Sequence, residues 1–129
     1  MAVDPSSRLD MFGPINEDTS ASYRAVLVDE CSVPIAGLSS LTLTLMDADT
    51  HTIINNRDRQ PILDINGGAF DPLTGTLTVG LTPADNLLLD QSKFEERHIL
   101  RFDYTYNSGQ SRGHHAIVLV IRNLARLGV

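Results

Sequence analysis

At 129 residues with 42% hydrophobic composition, the chain is long enough for one core and too short for two comfortable ones. Its net charge of −6 opposes a groove that neutralises phosphates, so nucleic acid is not expected as a direct partner. Cys31 stands alone, which removes an intramolecular disulfide framework and a cysteine-based zinc cluster. No stretch approaches the roughly 18 consecutive apolar residues of a membrane span, so no membrane partner is expected.

Residues Met1–Ser20 combine Pro5, Gly13 and Pro14 with acidic residues and isolated hydrophobes, and show no periodic face to bury. They read as an extended N-terminal arm ahead of a β-domain over Ala21–Val129. Within the arm, Leu9, Met11, Phe12 and Ile15 are the candidate partner-binding residues, docking onto a neighbouring subunit. The N-terminus also lacks a basic region followed by an apolar one, which predicts a chain made and kept in a cytosol or assembled there into something larger.

A first strand is expected from Ser22 to Asp29, broken by the Pro and Gly of ECSVPIAG. Leu38–Asp47 follows, with Leu41, Leu43 and Leu45 alternating against Thr42 and Thr44, the period of a half-buried strand. DADT turns into a third short strand at Thr52–Ile54. Asn55–Asp71 is an irregular surface excursion with a short edge strand at PILDI. Thr76–Thr82 places Leu77, Val79 and Leu81 inward, and Pro83 then limits TPADN to a helical turn. His98–Tyr106 alternates Leu100, Phe102, Tyr104 and Tyr106 against polar residues, NSG closes a hairpin, and Gly113–Arg122 is apolar on both faces, as a central or interface strand would be. The expected fold is an all-β, immunoglobulin-like β-sandwich of about seven strands carrying the N-terminal arm.

Several residues invite chemical readings. Asp47, Asp49 and His51 offer donors for a cation, but a calcium loop gathers more oxygens around a sharp Gly turn, and Asp in a hairpin routinely caps its own backbone. His114 and His115 are adjacent and so point to opposite faces of a strand. His98 beside Glu95 and Glu96 resembles a fragment of an acid–base site, yet exposed charge at a strand start accounts for it. No GxSxG, HExxH, P-loop or dinucleotide fingerprint is present. No catalytic, cofactor-binding or metal-binding residues are therefore expected, and the chain is not expected to be an enzyme. Sugar stacking is opposed by the absence of Trp and by the inward assignment of Tyr23, Tyr104 and Tyr106.

The stretch VDECSVPIAGLSSLTLTLMDADTHTIINNRDRQPILDINGGAFDPLTGTLTVGLTPADN, with ERHILRFDYTYNSGQSRGHHAIVLVIRNLARL, resembles the small immunoglobulin-like structural proteins encoded among the head and neck genes of tailed bacteriophages. The resembling parts are the turn at Asp29, Pro34, Ile35 and Gly37, the hairpin of Asp47, Thr50, Thr52 and Ile54, the block from Asn66 to Asp85, and the run Glu96, His98, Phe102, Tyr104, Tyr106, Gly109, Gly113 and His115. The resemblance implies a virion component assembled in the host cytoplasm, without defined catalytic or binding residues. A cement or decoration protein would bind the major capsid protein, a head–tail connector would bind neck proteins, and both would make homo-oligomeric contacts in the particle. The competing class is a stand-alone adhesion or ligand-binding module, with specificity in the loops Asn55–Asp71, Leu87–Arg97 and Asn107–Arg112 at one end of the sandwich. A divergent hydrolase using His98 or His115 is the third.

Overall fold

The computed structural model describes residues 10–123. In chain order the strands are β1 (Met11–Asn16), β2 (Ala21–Val26), β3 (Ser40–Asp47), β4 (Gln60–Pro61), β5 (Gly68–Asp71), β6 (Thr76–Leu81), β7 (Glu95–Tyr106) and β8 (Ser111–Arg122). They form two sheets, one ordered β1-β8-β7-β3-β4 and the other β2-β6-β5. A 3₁₀ turn at Pro83–Asn86 follows β6 where the proline predicts a helical turn. No helix among the described residues is long and apolar enough to cross a membrane.

The alternation of the sequence builds the core directly. Leu41, Leu43 and Leu45 of β3 point inward together with Leu100 and Phe102 of β7 and Ile117, Leu119 and Ile121 of β8. Leu77, Val79 and Leu81 of β6 meet them from the other layer. Each fully buried side chain of this size stabilises the fold by about 1.5–3 kcal/mol through area removed from water. The layers are also bridged by rings: Tyr23 of β2 stacks on Phe102 at 6.0 Å between centroids and on His115 at 5.9 Å. At the far end of β7, Gly113 lies opposite Tyr104, and a Cβ there would come within 2.4 Å of the tyrosine ring, so only glycine lets the ring lie over β8.

β8 is central in its sheet, and its outward side is apolar only over Ala116, Val118 and Val120, between Arg112 and His114 at one end and Arg122 at the other. It pairs antiparallel with β7 along the whole hairpin and parallel with β1 on its other side. That second pairing corrects the expectation for the N-terminus. Met11–Asn16 is a strand of the larger sheet rather than an extended arm, with Ile15 buried and Phe12 packed edge-on against Tyr23. The register shifts between Phe12 and Ile15, which lets two residues three apart share the inward face. Gly13 makes the shift possible, since its φ is +118° and a Cβ would lie 2.9 Å from the Val120 carbonyl. Residues 1–9, the first part of the expected arm, lie outside the described residues.

Two smaller expectations also change. The third strand at Thr52–Ile54 is reduced to an isolated bridge between Met46 and Ile53, because the chain turns sharply through His51, Asn55 and Asn56, all at positive φ. The three loops assigned to a single end do not share one. β7 is twelve residues long and spans about 40 Å. The Leu87–Phe94 loop enters it at one end, and the Asn107–Gln110 turn leaves from the other.

Candidate functional site

The structure brings polar side chains together chiefly at the end of the molecule where β3 finishes, β7 begins and the 3₁₀ turn closes β6. Asp47 and His98 are register partners on β3 and β7, and Glu96 sits two residues before His98 on the same inward face. All three are buried, at 3% exposure or less. His98 donates Nε2–H to Glu96 Oε1 at 2.9 Å. The Glu96 carboxylate also accepts the amides of Leu89 at 2.8 Å and Asp90 at 2.7 Å. Asp47 Oδ2 accepts the amides of Asp49 and Thr50 and the Thr50 hydroxyl. Burial alone would raise the Asp47 carboxyl, but those donors and the nearby His98 outweigh it and hold the group below its ordinary range.

This is where the sequence reading of His98, Glu95 and Glu96 as exposed charge fails. Glu95 is exposed, whereas Glu96 and His98 are enclosed. The signal was available in the alternation, since Glu96 and His98 have the parity of Leu100 and Phe102. Asp47, by contrast, caps its own turn as expected, and the side-chain donors gathered beside its carboxylate are those of Glu96 and His98 rather than Asp49 and His51. Asp49 instead lies outside, 3.8 Å from the Lys93 ammonium.

Asp47, Glu96 and His98 offer one donor atom each within 4.8 Å of one another, the donor types a divalent cation takes. A cation there would have to displace the hydrogen bond between His98 and Glu96 and compete with five donors already aimed at the two carboxylates. The arrangement acts as a latch. It fixes the backbone of the Leu87–Phe94 loop, which Asn123 holds from the other side by donating Nδ2–H to the carbonyls of Gln91 and Lys93. The held loop presents Leu87, Leu89 and Phe94 to solvent, Phe94 at 62% exposure.

A second buried group ties the layers together. The Arg57 guanidinium grips Asp85 through Nε at 2.6 Å and Nη2 at 3.0 Å, while its Nη1 reaches Gln60 and the Asn66 carbonyl. Asn55 and Thr82 complete the carboxylate's shell. Burial would raise the Asp85 carboxyl, and the hydrogen bonds from Arg57, Asn55 and Thr82 reverse that and lower it. Neither residue stood out in the sequence, because a contact between a loop and a turn 28 residues on has no local pattern.

His114 and His115 face opposite ways. His115 is inward, sharing a 2.6 Å hydrogen bond with the Tyr23 hydroxyl, and burial pushes its pKa down. His114 is outward, against Asp103. Of the candidate partner-binding residues, Met11 is exposed, Phe12 and Ile15 belong to the chain's own packing, and Leu9 lies outside the described residues.

No protein-family model matches the chain, and no curated protein matches it. What the arrangement can do is therefore read from its own chemistry: it braces loops.

Proposed function

We propose that the chain is a non-enzymatic structural protein of a tailed-phage virion, an immunoglobulin-like sandwich that binds the capsid shell as a cement or decoration protein. One observation carries this reading. The residues that make up the phage-like resemblance are spent on scaffold: Asp47 caps a turn, Asp85 holds Arg57, Glu96 and His98 fix a loop, and Phe102, Tyr104 and Tyr106 fill the core. A pattern that specifies a braced sandwich suits a protein that works by surface contact in many copies. The sheet orders, with the first strand parallel to the last across a five-stranded layer, support the immunoglobulin-like assignment.

The braced loop supports it further, since a rigid display of Leu87, Leu89 and Phe94 lowers the entropy lost on docking. Met11 remains available at the margin of the larger sheet, whereas Phe12 and Ile15 leave the list of partner contacts. Co-sedimentation of the purified chain with empty capsid shells tests the proposal. Saturable binding to shells supports it. A chain that binds isolated neck rings and not shells fits the connector alternative, and one that binds glycans and neither assembly fits the adhesion module.

A further inference from the structure

The chain carries 16 acidic and 10 basic residues, and five of the basic ones lie on or beside the outward side of the five-stranded sheet. Arg97 and Arg101 stand on the outward parity of β7 with Glu95 and Asp103, and Arg112 and Arg122 on that of β8. Arg59, beside β4, lines the same shallow cavity of about 320 Å³ as Arg101 and Arg112. Its floor carries hydroxyls, with Ser40 and Thr105 register partners across β3 and β7, and Thr42 opposite Asp103, which lines the cavity together with His114. Arg101 is turned onto Asp103 in a fork at 3.0–3.2 Å. Arg59 and Arg112 are exposed and enter no ion pair among the described residues.

We infer that this outer face is a docking surface for a protein partner that presents carboxylates. Arginine forks match carboxylates in a planar, two-bond geometry, and two unpaired guanidiniums flanking the cavity's hydroxyls supply that geometry twice. Charge complementarity selects the partner because the rest of the molecule is acidic. At long range it repels an anionic surface, so only a partner that reaches this face gains from contact. Nucleic acid fits less well, since its affinity comes from neutralising many phosphates along a groove. Sugars fit less well too, because the outward residues of β3, β7 and β8 include no Trp, Tyr or Phe, and the one ring there, His114, is held against Asp103. The inference rests on the placement of charge and does not require the partner to belong to a virion.

The test uses the full chain and labelled poly-L-glutamate at low ionic strength, read by fluorescence anisotropy. The wild type is expected to bind, with affinity falling as salt is added. The pair Arg59→Gln/Arg112→Gln is expected to weaken binding about tenfold or more, the loss of roughly one good charged contact. The pair Arg24→Gln/Lys93→Gln removes equal charge elsewhere and is expected to change it less than about twofold. All four sites are at the surface, and thermal unfolding of each variant checks that the fold is kept. No binding of polyglutamate, an equal loss in both pairs, or preference for polygalacturonate or single-stranded RNA would overturn the inference. So would salt-sensitive self-association that the Arg59/Arg112 pair abolishes, which would make the occupant a second copy of the chain.

Discussion

Removing Asp85 should be among the most damaging single changes in this protein. The carboxylate accepts two bonds from Arg57, one from Asn55 and two from Thr82, and it is fully enclosed. In Asp85→Ala the guanidinium stays buried with only its Nη1 contacts to Gln60 and Asn66. Breaking one side of a buried pair costs about 3–5 kcal/mol, because the remaining charge loses its partner inside a low-dielectric interior. In a domain of this size each kcal/mol is worth roughly 3–5 °C, so the midpoint should fall by roughly 9–25 °C. The chain has no Trp, and circular dichroism in a urea or thermal titration is the suitable assay. The double variant Arg57→Met/Asp85→Leu removes both charges and should recover at least half of the loss. Acid gives the same result by another route. The folded Asp85 pKa is lowered, so its contribution is fully present above the unfolded value near about 3.9 and disappears as pH falls through the folded value. Wild-type and Asp85→Ala stabilities should therefore converge in acid. A loss below about 1 kcal/mol for Asp85→Ala, or a double variant that loses the sum of the singles, would refute the reasoning.

Three further outcomes follow from the same contacts. Glu96→Gln places an amide N–H₂ or a single acceptor against two backbone donors, so the Leu89 and Asp90 amides should exchange at least about tenfold faster; unchanged protection would mean the loop is held by something else. Ile15→Ala should cost about 2–5 kcal/mol as a core truncation, whereas a residue on a free arm would cost nothing measurable. The hydrogen bond to Glu30, more than burial, pushes the Tyr106 phenol up to about 12. Glu30→Gln should return it toward about 10 in an NMR titration, and a Tyr106 that titrates near 10 in the wild type would contradict the contact.

The sequence and the structure agree where neighbours along the chain decide the conformation. LTLTL alternates because β3 has one face on the core, and β8, apolar on both faces only in its middle, is flanked by strands on both sides. They part where distant residues decide. β1 was unreadable because its inward residues, Phe12 and Ile15, share a face only through a shifted register, and its pairing partner lies more than 100 residues away. The ion pair of Arg57 and Asp85 was unreadable for the same reason, since nothing within either segment signals the other. Glu96 and His98 differ in kind. Their parity placed them inside, and the habit of putting charge outside overrode the pattern.

The copy number of this chain in purified particles from its source, by quantitative mass spectrometry against the major capsid protein, tests the proposed role most directly. A ratio near one to one, or a simple fraction of it, is what a capsid cement protein predicts. Absence from the particles would contradict the virion reading outright.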